Sequence, residues 1–390
     1  MTSFVDEGLM PTYAPAPVRF VRGEGSWLWD EDGKRYLDFL SGIAVTSLGH
    51  CHPRVTEAVR SQAGRLWHVS NLFHNELAPR LAVRIDELVG GGGKVFFSNS
   101  GAEANEAAIK LARRFGGHGR HRIIAAYNSF HGRTLAALAA TGQPSKWEGF
   151  QPLPEGFVHV PYGDISALDA ALDGSVAAVM LEAIQGEGGV VVAPNGYLAE
   201  VARLCQQRGA LVILDEVQTG LGRTGRWFAF QYERIRPDVV TMAKALGNGM
   251  PIGACWARSE IADLFVPGDH ATTYGGQPLA CSAALATLEV MQSQDVPRRA
   301  GQAGGALAAA LGRLETIREV RGRGLLLGAV LQPDGPDAKE VASRCLGMGL
   351  VVNALGKDVI RLAPSLLVAP EEIEVGVGIL GAALEAAPEG

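Results

Sequence analysis

LVILDEVQTGLGRTG, from Leu211 to Gly225, runs four apolar residues into the carboxylate of Asp215 and then breaks into glycines. A short apolar run bounded by turn residues predicts a buried strand. Its carboxylate would then stand at the strand's end, where an unpaired charge is costly. Further on, TMAKALGNG carries Lys244, the only lysine between Lys146 and Lys339, again in an apolar segment bounded by glycines. Asp215 alone could cap a helix, and Lys244 alone could be a surface lysine with its stem laid on apolar groups. Together they are better explained by one ligand that needs both an anion and an amine.

Outward from this stretch, the chain from His52-Pro53 to about residue 295 alternates helical patterns with short apolar runs. The runs are KVFFSN, RIIAAYN, FVHVPY, SVAAVMLEAI, LVILDEV, VVTMAKA and PIGACWA. That rhythm predicts an α/β domain with a mainly parallel sheet covered by helices. The clearest helix is Ala102 to Phe115, with Ala104, Ala107, Ala108, Leu111, Ala112 and Phe115 on one face. Before this region, PAPVRF reads as an extended lead and WLWDEDGKRYLDFLSG as two strands about a turn. Past residue 295 come an alanine-rich helix, a strand in RGRGLLLGAVL, a helix, a strand pair around VVNALGKDVIRLAP and a last helix from Pro370. The expected division is therefore 1–50, joining a small α+β domain; 51–295, the large ligand-binding domain; and 296–390, the small domain.

The 390 residues are 47% apolar and 19% charged, enough for a large core, with a net charge of −6. No basic block suggests nucleic acid or an anionic membrane as partner. The N-terminus has no basic region leading into an apolar run, and no apolar window is long enough to span a bilayer, so the chain reads as cytoplasmic. Five cysteines without C-x-x-C spacing read as reduced thiols, with no metal site. His50-Cys51-His52 is better read as a turn into a helix started by Pro53.

GGGGKV at Gly90 lacks the Ser/Thr that a P-loop needs, and GNGMPIG and GRGLLLG have the wrong spacing for a dinucleotide loop. SNSGAEANEAA is the better phosphate candidate. Ser100 and Glu103 have capping-box spacing, and a helix starting there would offer free amides to a dianion. An ordinary cap is the plain alternative; the preceding strand and the distant lysine favour the phosphate. Pyridoxal phosphate would suit the whole set, because its ring nitrogen needs an anion and its aldehyde an amine. Phe130, in the FHGR stretch after RIIAAYN, could cover its ring, and Arg133 could hold a substrate carboxylate.

In order along the chain, GEGSWLWDEDGKRYLDFLSGIAV, LGHCHP, LEAIQGEGGV, LDEVQTGLGRTG, AKALGNGMPIGA, TYGGQPLAC and IRLAPSL resemble the class III aminotransferases, pyridoxal phosphate enzymes of fold type I. Within them the chain is most similar to the acetylornithine aminotransferases. The resemblance covers nearly the whole chain. It implies that Lys244 forms the Schiff base, Asp215 partners the pyridine nitrogen and Gln218 meets the ring hydroxyl. Val217 and Phe130 would pack on the two ring faces, and Ser100, Gly101 and Ala102 would bind the phosphate with Thr273 of a second subunit. A homodimer with shared sites follows.

For the substrates, a small-molecule amino acid and a 2-oxo acid, the resemblance implies that Arg361 binds the glutamate carboxylate nearest the ring. Glu187 would pair with Arg361 when the other donor has no carboxylate there. Arg133 would hold the distant carboxylate, with Thr272 of the neighbouring chain. Ornithine aminotransferases carry tyrosine where Ile43 stands, which favours an acylated donor. Ala183, Ser365 and Gln277 depart from the usual pattern, and Ala183 bears on the turn holding Glu187. The implied activity moves the side-chain amine of N2-acetylornithine to 2-oxoglutarate. The alternatives are succinylornithine, ornithine, 4-aminobutyrate or acyl-lysine as donor, and, outside catalysis, a cofactor-binding dimeric regulator.

Overall fold

The computed structural model describes residues 8–386. Residues 1–7 and 387–390 lie outside the described residues, as does that part of the reading of the N-terminus.

All seven apolar runs form strands of one sheet, in the spatial order Gly93–Ser98, Gly253–Arg258, Val239–Met242, Leu211–Asp215, Val176–Glu182, Arg122–Ala126 and Phe157–Val160. Neighbours are parallel, except that Gly253–Arg258 runs against both of its own. The central strands Val176–Glu182 and Leu211–Asp215 are buried along their whole length. Both faces of such a strand must therefore be apolar, which is why these runs do not alternate. Register then does the positioning: Asp215 lies beside Glu182 on one side and Thr241 on the other. These three residues form a row at the carboxyl edge of the parallel strands, the place where open α/β sheets bind ligands.

Helix Gly101–Gly116 covers this sheet with its alanine face. Small side chains let it approach closely, and the polar Asn105 is buried on that same face. Its cap differs in one detail from the expected box. Ser100 Oγ accepts from Glu103 N at 3.2 Å, but the Glu103 carboxylate accepts from Asn99 N at 2.7 Å instead of from Ser100.

A second sheet joins Phe20–Glu24, Trp27–Asp30 and Arg35–Asp38 to Leu350–Val351, so Leu37 lies beside Leu350 from the other end of the chain. PAPVRF thus ends in a strand of its own, beginning at Phe20. The third sheet, Ile317–Arg323, Leu326–Leu331, Val359–Leu362 and Asn353–Leu355, carries Arg361. Here RGRGLLLGAVL is two strands instead of one. It turns at Gly324, whose φ of +56° and close approach to the backbone of residues 223–225 exclude a side chain. A small hairpin, Ile184–Gln185 with Val191–Val192, was not foreseen; its loop holds Glu187.

Among the described residues no helix is long and apolar enough to cross a membrane, and no group of three His, Cys, Asp or Glu could hold a metal ion. His50 bonds the buried Asp38 at 2.7 Å, and His52 precedes the helix Pro53–Ala63. All five cysteines are free, four of them buried.

Candidate active site

The carboxyl edge of the large sheet opens into a cleft of about 460 Å³. Ser100, Gly101, Ala102, Phe130, Arg133, Glu187, Asp215, Val217, Gln218 and Lys244 all line it, as expected from sequence. Arg361 stands behind Glu187 without lining the cleft itself. Thr272 and Thr273 do not line it either; Thr272 Oγ1 accepts from Asn99 Nδ2 at 3.3 Å, and Thr273 is exposed. Ile43 is 45% exposed and outside the lining, to which its stretch contributes Val45.

Asp215 is 4% exposed and already well satisfied by the protein. Its Oδ2 accepts from Asn105 Nδ2 and His131 Nδ1, both at 2.8 Å, and its Oδ1 from Val217 N at 3.0 Å. Asn105 is fixed in turn by Thr241, whose hydroxyl donates to Asn105 Oδ1 at 2.6 Å. Sequence reasoning therefore missed two buried partners of the key carboxylate. Asn105 had a signal, since it is a polar residue on the apolar face of a helix. His131 had only its place in FHGR.

Lys244 is approached differently. It follows strand Val239–Met242 in a short 3-10 turn with a φ of +44°, unusual for a side chain with a β-carbon. Its amine makes no hydrogen bond or ion pair among the described residues. Burial lowers its pKa to about 8, against the opposing charges of Glu187, Asp215 and Glu182. The amine is thus partly neutral near physiological pH, the state a nucleophile needs.

Arg361 is buried, and its guanidinium is shared. Nη1 reaches Glu187 Oε1 at 2.5 Å and Nη2 donates to Asn353 Oδ1 at 2.8 Å. Burial opposes ionisation of Glu187, but the nearby Arg361 charge outweighs it and holds the carboxyl below its ordinary range. In the turn that leads to Glu187, Tyr162 OH lies within hydrogen-bond distance of the carbonyls of both Glu182 and Ala183, at 2.8 and 3.0 Å. Arg133, by contrast, is exposed and forms no ion pair among the described residues; its guanidinium lies 5.9 Å from the Phe130 ring centre.

Two further buried carboxyls lie close to Asp215, Glu182 in the lining of the cleft and Glu216 next to it in the chain. Glu182 accepts from Phe130 N and Gly186 N at 3.0 and 3.3 Å, and burial pushes it up to about 7. Glu216 accepts from Phe230 N at 2.9 Å and from Thr219 Oγ1, and burial pushes it up to about 7 as well. Because the folded pKa of Glu216 lies above the unfolded value, its contribution is full below about pH 4.5 and is lost as pH rises toward 7. The shift corresponds to roughly 3 kcal/mol. Glu216→Gln should therefore make the loss of stability between pH 4.5 and 7.5 shallower by up to about 3 kcal/mol, read from urea unfolding at the two ends. An unchanged slope would place the titration elsewhere.

The family described as aminotransferase class-III matches residues 10–384. The acetylornithine aminotransferase of Methanothermobacter thermautotrophicus is 47% identical over 377 residues, 96% of this chain and 95% of its own. That of Mycolicibacterium smegmatis is 48% identical over 383 residues, 98% and 97% of the two chains. Among solved structures, an ornithine aminotransferase from Toxoplasma gondii, with pyridoxal phosphate partly occupying its active site, superimposes with a TM-score of 0.92 at 34% identity, over 97% of this chain and 92% of that one. The N-acetylornithine aminotransferase of Stenotrophomonas maltophilia gives 0.84 at 39% identity, over 95% and 96%. A parallel-rich sheet with an amine and a carboxylate at its carboxyl edge, in a chain matched by relatives over nearly its whole length, places the fold among the type I pyridoxal phosphate-dependent transferases, and the chain belongs to the class III aminotransferases.

Proposed function

We propose that this chain is a cytoplasmic, homodimeric enzyme that uses pyridoxal 5'-phosphate to move the side-chain amine of N2-acetylornithine to 2-oxoglutarate. The products are N-acetylglutamate semialdehyde and glutamate, a step of arginine biosynthesis. The observation that carries the reading is the meeting of Lys244, Asp215 and the Glu187–Arg361 pair around one cleft. The acyl preference rests on the acetylornithine aminotransferases that are nearly half identical to this chain.

The residues present fit the cofactor. Gln218 Oε1 is buried, lines the cleft and has no hydrogen-bond partner, as suits a group awaiting a ring hydroxyl. At the start of helix Gly101–Gly116 the cap takes the amides of Glu103 and Ala104 and leaves those of Gly101 and Ala102, which line the cleft with Ser100, so Ser100, Gly101 and Ala102 would hold the phosphate. Phe130 and Val217 would bracket the ring. When bound, pyridoxal phosphate supplies an aldehyde that captures amines and a cationic ring that draws electrons from the substrate carbon. Asp215 would hold that ring's charge, and Lys244, as a free amine in the cleft, would take and hold the proton of the substrate carbon.

Thr273 would complete the phosphate site, and Thr272 the substrate site, from a second copy of the chain. Support for that copy comes from Leu66, Trp67, Leu72, Phe73 and Tyr274, large exposed apolar side chains on two segments that meet where Asn71 Nδ2 donates to the carbonyl of Thr272 and His68 packs on Tyr274. We further propose that the chain divides near residues 50 and 295, with the N-terminal strands belonging to the small domain through Leu350–Val351.

Substrate choice then lies with three charges. Arg133 takes the carboxylate distant from the ring. Arg361 takes the nearer carboxylate of glutamate after Glu187 swings away, and Glu187 neutralises it otherwise. Arg361→Ala should lower kcat/KM for glutamate about a hundredfold or more, the cost of losing a charged partner in a buried pair, while the acylated donor loses far less. Equal losses in the two half-reactions would refute the exchange.

The experiment for the substrate is a panel of half-reactions with acetylornithine, succinylornithine, ornithine, 4-aminobutyrate and acyl-lysine. Acetylornithine should give the largest kcat/KM. The close superposition on an ornithine aminotransferase makes ornithine the specific rival. Ornithine or 4-aminobutyrate at the top would overturn the acyl preference.

A further inference from the structure

Asp215 holds its position through an asymmetric set of donors. Oδ2 takes two, from Asn105 and His131, whereas Oδ1 takes only the amide of Val217. A carboxylate has about four acceptor positions, so the spare capacity is greater on Oδ1. His131 is 2% exposed, its imidazole has no solvent contact, and its own amide is tied to Thr141 Oγ1 at 2.9 Å. Its Nε2 is buried without a partner among the described residues. Such an atom is costly as an N–H donor and cheaper as a bare lone pair. The bond to Oδ2 nevertheless requires the proton on Nδ1, because an ionised carboxylate can only accept.

We propose that His131 is a positioning residue for Asp215: by donating from Nδ1 it keeps the carboxylate turned so that Oδ1 is left for the cofactor ring. This rests on the cofactor reading above. The groups that face His131 are Asp215, Glu182 and, from strand Phe157–Val160, His159. Burial works against a charge on His131, but the bond and charge of Asp215, helped by Glu182, outweigh it and raise its pKa. Asn105 cannot do this alone. Its amide holds the same oxygen, carries no charge and is shared with the carbonyl of His131 at 2.7 Å. His131 therefore fixes the direction of the carboxylate that it touches.

The test compares His131→Ala with His131→Asn, whose amide can replace Nδ1–H as a donor. In the loaded protein, His131→Ala should lower kcat about tenfold to a hundredfold, the loss of one charge-assisted hydrogen bond, with little change in KM. The cofactor should dissociate more readily, and the pH at which its visible spectrum changes should move. His131→Asn should restore most of kcat. Equal loss in both variants, or no loss in either, would overturn the proposal, as would lower thermal stability with an unmoved spectral midpoint. If His131→Ala does not fold, nitrogen NMR of histidine-labelled wild-type apoprotein decides. Nδ1 should carry the proton from pH 6 to 8, and a bare Nδ1 would sink the idea. Wild-type protein that fails to bind pyridoxal phosphate would instead refute the cofactor reading and leave the NMR result standing on its own.

Discussion

Lys244→Ala is expected to abolish transamination, with kcat lower by about 10⁴ or more. The acid–base role alone accounts for roughly 10² to 10⁴, and losing the amine that holds the cofactor adds to it. The purified variant should also lose the yellow colour of covalently held cofactor. A second, opposite effect is expected in the unloaded chain. Lys244 has a folded pKa of about 8 against an ordinary value of 10.5, so its burial in charged form opposes folding. That cost is full below about pH 8 and vanishes above the unfolded pKa. At pH 7 the shift amounts to roughly 3 kcal/mol. The apo Lys244→Ala protein should therefore resist urea better than the apo wild type at pH 7 and lose that advantage near pH 10.5. Retained colour and activity in the variant would remove Lys244 from the chemistry; lower stability at pH 7 would show that the lysine is not buried at a cost.

Asp215→Asn should lower kcat about a thousandfold while leaving the fold intact. A unit charge held about 4 Å from a cationic ring in a partly buried site is worth about 4 kcal/mol, and asparagine keeps the shape without the charge. The loss should fall on kcat more than on KM, because charge stabilisation counts most where electrons flow into the ring. The variant also removes the ion partner of His131, whose pKa should fall toward the neutral range. A kcat within tenfold of the wild type would mean that ring charge does not depend on Asp215. A collapse of thermal stability would instead reveal a mainly structural role in the Asn105–Asp215–His131 cluster.

Much of this could be seen in the chain alone, for local reasons. Strand Leu211–Asp215 was legible because a buried parallel strand must be apolar at every position and because the carboxylate ends it. Helix Gly101–Gly116 was legible from its period and its cap, although Glu103 closes that cap on Asn99. Gly324 was not read as a hairpin turn, because RGRGLLLGAVL is apolar enough to pass as a single strand; only the backbone of residues 223–225 pressing on Gly324 explains the break. Ile43 lies outside the lining of the cleft within its own chain.

By itself the sequence determined the seven strands of the large sheet, the lysine and carboxylate proposed to carry chemistry, and the family to which the chain belongs, because periodicity, cost of burial and motif order act along the chain. Tertiary structure decided the company those groups keep. Asn105 reaches Asp215 from a helix and His131 from a loop, both far from it in sequence, and Arg361 meets Glu187 across two different sheets. Such pairs form only when strand order and register bring distant segments together. The low-dielectric surroundings, and so the lowered pKa of Lys244 and the ion pair of Arg361 with Glu187, exist only once the core has closed over them.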